Sequence, residues 1–277
     1  MSTPQPSITL SGGATIPQLG FGVWQVSDEE ATPAVAAALQ TGYRSIDTAR
    51  MYRNEPGVGR AIAESGLPRD ELFVTTKLNN RSHGRDATLS AFEASREALG
   101  LEVVDLFLIH WPLPGSDRYV ETWKAFVELK EQGLVRSIGV SNFQRAHLQR
   151  LIDETGVTPE LNQIELHPYF TQHPLREFHA EHGIATEAWS PLGQGGPLLQ
   201  DPVITALAAE YGRSPAQIVL GWHLAIGNVV IPKSVTPTRI AENFGSLEVT
   251  LSTDDIETIS ALNRDQRLGP DPDVLGA

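Results

Sequence analysis

The chain contains no cysteine. Disulfides, thiolate nucleophiles and cysteine metal sites are therefore excluded. Basic residues are scarce, with 21 Lys and Arg against 34 Asp and Glu and a formal net charge of −13. That balance favours solubility and disfavours nonspecific binding to nucleic acid or an anionic membrane. No apolar run approaches the roughly 20 residues of a membrane-spanning helix. Met1 to Pro6 has neither a basic region nor an apolar stretch, so no secretory signal is expected there. These absences favour a cytoplasmic protein acting on a small molecule. A phosphate-bearing ligand would need a local basic pocket. Also missing is G-x-G-x-x-G after the first strand. Gly20-Phe21-Gly22 and Gly57-Val58-Gly59 both lack the third glycine, which argues against an open dinucleotide-binding sheet.

What is present is a rhythm. Ser7 to Ile16 reads as a hairpin around Gly12-Gly13, and Gln18 to Gly22 as a first strand. Asp28 to Gln40 reads as a helix with Ser27 as its N-cap and Gly42 as its stop. Strand and helix then alternate at 44–47, 54–64, 71–76, 86–99, 103–109, 119–131, 135–140, 144–153, 161–165, 173–182, 184–188 and 200–211. A helical run from Ser214 to Ile226 carries Pro215 early, where a helix tolerates it. Val229 to Ile231 is an eighth strand, Pro237 to Phe244 the next helix and Ser252 to Asn263 an added one, before an irregular tail from Asp265. Several strands are nearly continuous apolar runs, as strands buried on both faces are. No linker or charge block divides the chain. The expected architecture is one α/β domain over 1–277: a (β/α)8 TIM barrel with an N-terminal β-hairpin and extra helices.

Ionisable residues close the strands. Asp47 ends one, Tyr52 follows five residues later, Lys77 comes thirty residues after Asp47, and His110 thirty-three after Lys77. A barrel of about 250 residues allots roughly 31 to each unit, so this spacing brings the groups to one face. A phenol is a poor acid at neutral pH, and a nearby ammonium lowers its pKa. Lys77 can do this for Tyr52, Asp47 can keep Lys77 charged, and His110 can donate to a substrate oxygen. Together they make a general acid beside a carbonyl pocket. Each residue alone would more often be an ordinary strand-end group.

With these four residues in order, the chain resembles the aldo-keto reductases, especially the bacterial 2,5-diketo-D-gluconate reductases, from about Ile8 to Asn263. Further family-like stretches are Leu19 to Gly22, Asp105 to Pro112, Ile138 to Phe143, Asn162 to Pro168 and Ile231 to Pro237. The resemblance implies reduction of an aldehyde or ketone with NADPH, the catalytic tetrad being Asp47, Tyr52, Lys77 and His110. It implies that Ser141, Asn142 and Gln163 bind the nicotinamide carboxamide and that Trp189 stacks on the ring. Ser190 to Gly196 reads as a pyrophosphate strap, with Ser190, Leu192, Gly193 and Gln194 among the contacts, and Gly22 joins the cofactor set. The resemblance further implies that Lys233, Ser234, Arg239, Glu242 and Asn243 receive the adenosine 2′-phosphate and adenine. A helix start with Lys and Arg suits a phosphate monoester. Trp24 and Trp111 are either walls of the substrate pocket or simply buried aromatics. Two residues depart from the family pattern. Arg53 stands where relatives usually have Gly and either touches substrate or points to solvent. Thr236 replaces an Arg found in some diketogluconate reductases. No metal site is expected, the H-x-x-H pair His179 and His182 lacking acidic company. By resemblance a monomer is expected. The rival readings are a broad aldehyde or methylglyoxal-type reductase and a non-catalytic NADPH-binding regulatory subunit.

Overall fold

A hairpin comes first. Strands β1 (Ser7–Thr9) and β2 (Thr15–Pro17) pair antiparallel. Eight parallel strands follow, each hydrogen-bonded to the next: β3 (Phe21–Gly22), β4 (Ser45–Asp47), β5 (Phe73–Leu78), β6 (Val104–Ile109), β7 (Val135–Ser141), β8 (Leu161–Glu165), β9 (Ala185–Trp189) and β10 (Val229–Val230). This is a computed structural model, and it describes residues 5–276. Of Met1 to Pro6, where no secretory signal is expected, residues 1–4 lie outside that range.

Local chemistry sets the helix limits. In α1 (Asp28–Thr41), Ser27 accepts from the Glu30 N–H while Glu30 reaches back to the Ser27 N–H, and Gly42 at φ 125° ends the helix. Both boundaries match the sequence. The helices α2 (Glu55–Glu64), α3 (Arg85–Leu99), α4 (Tyr119–Glu131), α5 (Arg145–Thr155) and α6 (His173–Glu181) each follow one strand. Two helices, α7 (Pro202–Tyr211) and α8 (Pro215–Ala225), separate β9 from β10. Then come α9 (Pro237–Phe244) and α10 (Thr253–Ser260). Ser214 and Gln217 cap α8 reciprocally, with Pro215 in its first turn.

The first and last barrel strands are shorter than expected. Pairing at the seam covers Phe21–Gly22 and Val229–Val230, with lone bridges from Leu19 to Val230 and from Gly22 to Lys233. The Gly20 N–H meets the Val230 carbonyl at 2.8 Å, and the Gly22 N–H meets that of Pro232 at 3.1 Å. A Cβ on Gly22 would lie 3.1 Å from the Ile231 carbonyl oxygen, so a side chain there would crowd the seam. The barrel thus closes beside the predicted site. At the opposite end, Leu10 and Ile16 of the hairpin segment pack against Phe73, Leu106, Leu161 and Val229, plugging the floor.

Candidate active site

All four predicted tetrad residues meet at the C-terminal ends of the strands. Asp47 is the last residue of β4, Lys77 lies near the end of β5, and His110 immediately follows β6. Tyr52 ends a short 3₁₀ turn, Arg50–Tyr52. Asn54 shapes that turn. Fully buried, it donates to the carbonyls of Val23 and Val26 at 2.9 Å each and accepts from Thr48 Oγ1 at 2.7 Å. Arg53 follows Tyr52 at φ 59°, in the left-handed region, with an exposed side chain that does not line the cleft. The solvent alternative therefore holds for Arg53, and its backbone angle gives a physical reason for glycine at this position in relatives.

The electrostatics depart from expectation at one point. Lys77 is fully buried; its Nζ donates to Asp47 Oδ1 at 2.6 Å and to the Thr48 carbonyl at 3.0 Å, and lies 3.5 Å from the Tyr52 hydroxyl. Burial alone would pull its pKa down, but Asp47 and Tyr52 outweigh burial and hold the ammonium above its ordinary value. For Tyr52 burial dominates and raises the phenol above its usual range; Lys77 opposes this but does not reverse it. Lys77 does lower the phenol, as expected, but burial outweighs it, so in the protein alone Tyr52 is held protonated, as a proton donor must be. Burial, then Lys77, pushes His110 well below its usual pKa, so the imidazole is neutral. A neutral ring donates from one nitrogen only.

Neighbouring strand ends bring amides to the same cavity. Gln163 Nε2 donates to Asp47 Oδ2 and to Glu187 Oε2, both at 2.8 Å. Ser141 Oγ donates to the Gln163 carbonyl at 2.9 Å. Asn142, at φ 64°, donates to the His110 carbonyl and to Ser141 Oγ, and its oxygen accepts from Trp189 Nε1 at 2.8 Å. The Asn142 amide is thus already satisfied by the protein, and the Trp189 indole is tethered to it.

Asp47, Tyr52, His110, Ser141, Asn142, Gln163 and Trp189 line a cleft of about 850 Å³ together with Gly22, Trp24, Trp111, Ser190, Leu192, Gln194, Lys233, Ser234, Arg239, Glu242 and Asn243, while Lys77 and Glu187 lie behind that lining. Of the predicted cofactor residues, Gly193 alone is not part of that lining. Its N–H is bonded to the Ser190 carbonyl, and those of Gly195 and Gly196 to Leu192 and Gly193. The N–H groups of these glycines are thus engaged within the loop, whereas the strap reading expects them to face a phosphate. Lys233 and Arg239 are exposed and make no ion pair among the described residues. In so acidic a chain, unpaired cations at a cleft rim are a fit for phosphate.

Two carboxylates and a stretch of tail escaped the sequence reading. Glu187 is fully buried beneath the tetrad. Glu165 accepts the N–H groups of Leu268 and Gly269 at 2.6 and 2.8 Å, which seats Gly269 and Pro270 in the cleft wall against Trp189. Burial would raise the Glu165 carboxyl, but His167 and these two N–H groups hold it below its usual range. The paired histidines are engaged locally: His179 bonds to Thr186 and Asn162, and His182 to the Phe178 carbonyl.

A closed parallel barrel with Asp, Tyr, Lys and His at its strand ends defines a class of oxidoreductase site. Residues 12–264 match the aldo/keto reductase family. An aldo-keto reductase of Mycolicibacterium smegmatis is 58% identical over 96% of this chain and 97% of its own length. The methylglyoxal reductase DkgA of Escherichia coli K12 is 54% identical over 97% of this chain and 98% of its own length. A crystal structure of a Gox0644 mutant in complex with NADPH superposes with a TM-score of 0.94 at 49% identity, covering 98% of this chain and 99% of that one. The chain belongs to the aldo/keto reductase family.

Proposed function

We propose that this enzyme reduces a reactive aldehyde or ketone to the alcohol with NADPH, the tetrad being Tyr52, Lys77, Asp47 and His110. The observation that carries the reading is the buried Asp47–Lys77 pair, with Tyr52 3.5 Å from Lys77 Nζ in the same cleft as the unpaired Lys233 and Arg239. Lys233 and Arg239 would hold the 2′-phosphate, Gln163 the carboxamide and Trp189 one face of the ring. NADPH, when bound, would supply a hydride for the carbonyl carbon. Tyr52 gives its proton to the carbonyl oxygen, which balances the reduction. Lys77 stabilises the phenolate left behind, Asp47 keeps Lys77 charged, and neutral His110 orients the oxygen through one N–H.

Trp24 and Trp111 wall the carbonyl end, Trp111 buried and Trp24 half open. An aromatic wall beside Met51 suits a small dicarbonyl or an aldehyde as well as a keto-sugar. The name carried by the Escherichia coli relative favours methylglyoxal among these. The test is a panel of methylglyoxal, simple aldehydes and 2,5-diketo-D-gluconate, ranked by kcat/KM with NADPH. A higher value for the keto-sugar than for every aldehyde would reverse that order. No turnover of any of them would remove the catalytic reading.

A further inference from the structure

Glu187 has no part in the mechanism above, yet it sits at the centre of the barrel. It lies on β9, opposite Gln163 on β8 and Val229 on β10. It is fully buried, and one of its oxygens, Oε1, has no partner among the described residues. Its other oxygen accepts from Gln163 Nε2 at 2.8 Å, and that same nitrogen donates to Asp47 Oδ2 at 2.8 Å. Asp47, held in its ion pair with Lys77, can only accept, so the amide nitrogen and not the oxygen faces it. Both amide hydrogens are then committed, and the Gln163 oxygen, which accepts no hydrogen bond within the described residues, is left to the cleft.

We propose that Glu187 is a positioning residue for the reduction: with Asp47 it captures both hydrogens of the Gln163 amide and presents the Gln163 oxygen to the nicotinamide carboxamide as an acceptor. The inference rests on the reading of Gln163 as a carboxamide ligand. Without Glu187 one amide hydrogen loses its partner, and the amide is free to turn its nitrogen toward the cofactor. Charge supports the arrangement. Asp47 from β4 and Lys77 from β5 are the charged groups that bear on Glu187, with the Gln163 amide from β8 and Val229 from β10 beside it. Tyr52 also feels its charge. One ammonium cannot balance two buried carboxylates, and burial, then Asp47, pushes the Glu187 carboxyl up to about 8. The shift favours the neutral acid with its proton on Oε1, which leaves Oε2 to accept from Gln163. Above about 8 it adds a second negative charge behind Lys77, which makes Tyr52 a weaker acid.

The probe is the 3-acetylpyridine analogue of NADPH, in which a methyl group replaces the carboxamide NH₂. Kd values for both cofactors are measured by quenching of tryptophan fluorescence. Wild type should prefer NADPH by about fivefold, the worth of one neutral hydrogen bond. Glu187→Leu should reduce that preference to within about twofold, and Glu187→Gln, whose carbonyl still accepts from Gln163, should restore it. A Glu187→Leu protein that discriminates as wild type does overturns the proposal. Equal affinities in wild type would overturn the carboxamide reading of Gln163 itself, and the proposal with it. If Glu187→Leu does not fold, Glu187→Gln decides through the pH profile of kcat/KM. The proposal expects wild type to show an alkaline step near pH 8 and Glu187→Gln to lack it; a step that persists in Glu187→Gln, or is missing from wild type, overturns it.

Discussion

The floor of the cleft and its rim handle charge in opposite ways. On the floor, Lys77 and Asp47 are buried and paired at 2.6 Å, and a glutamine ties Asp47 to Glu187. At the rim, Lys233 and Arg239 are exposed and unpaired among the described residues. In a dry site each charge sets the protonation of its neighbours, and removing one member leaves another stranded. At a wet rim a charge acts singly and is screened by salt. Coupled failures are expected on the floor and separable ones at the rim.

The largest effect expected on the floor is that of Tyr52→Phe. Loss of the proposed acid should lower kcat about 10²–10⁴-fold, while NADPH affinity stays within about twofold by fluorescence titration. Near-wild-type turnover of an aldehyde would take Tyr52 out of the chemistry. Lys77→Met should lower kcat nearly as much and also show the coupling. Asp47 is left buried without its cation, so chemical denaturation should reveal about 3 kcal/mol of lost stability. Since Lys77 opposes the upward shift of the phenol, the pH–rate limb assigned to Tyr52 should move to higher pH in this variant. An unmoved limb would mean that the floor is not coupled. Asp47→Asn should be milder, because its oxygen still accepts from Lys77.

At the rim, Arg239→Ala should weaken NADPH binding about tenfold to a hundredfold, the equivalent of about 1.5–3 kcal/mol for a hydrogen bond to a charged group. NADH binding should change little, and the loss should shrink as ionic strength rises. Equal losses for both cofactors would place Arg239 on adenine instead, and the contrast between rim and floor would blur. The smallest effect is expected at Arg53. Its left-handed backbone, φ 59°, costs a non-glycine residue roughly 1–2 kcal/mol. Glycine there loses more entropy on folding. Arg53→Gly should therefore stabilise the fold by less than about 1 kcal/mol, with kcat/KM unaffected. A fall in turnover would show that this side chain reaches the substrate after all.

The tetrad was legible in sequence because barrel periodicity carries it: ionisable residues at strand ends, about one unit apart, have one place to converge. Glu187 was not legible. Within Ala185 to Trp189 nothing marks which face a glutamate takes; only the register against Gln163 and Val229 turns it inward. Glu165 was hidden for another reason, since its partners are backbone N–H groups of Leu268 and Gly269, about a hundred residues along the chain. The loop at Ser190 to Gly196 shows a third limit. Glycine content marks a turn, but not where its N–H groups point. Gly22 was read as a cofactor contact, and it does line the cleft, but it also sits at the barrel seam, where a side chain would crowd Ile231.

The burial of Lys77 has a practical consequence for labelling chemistry. The lysines of this chain are Lys77, Lys124, Lys130 and Lys233. Lys233 and Lys124 are open to water, Lys130 is paired with Glu160 at 2.7 Å, and Lys77 has no exposed surface. An acylating reagent will therefore mark Lys233 in the native protein, with Lys124 as an internal standard, while Lys77 stays unmodified until the barrel opens. Read by peptide mass spectrometry, one reaction gives two independent signals: protection of Lys233 reports an occupied cleft, and the first adduct on Lys77 reports an unfolding event.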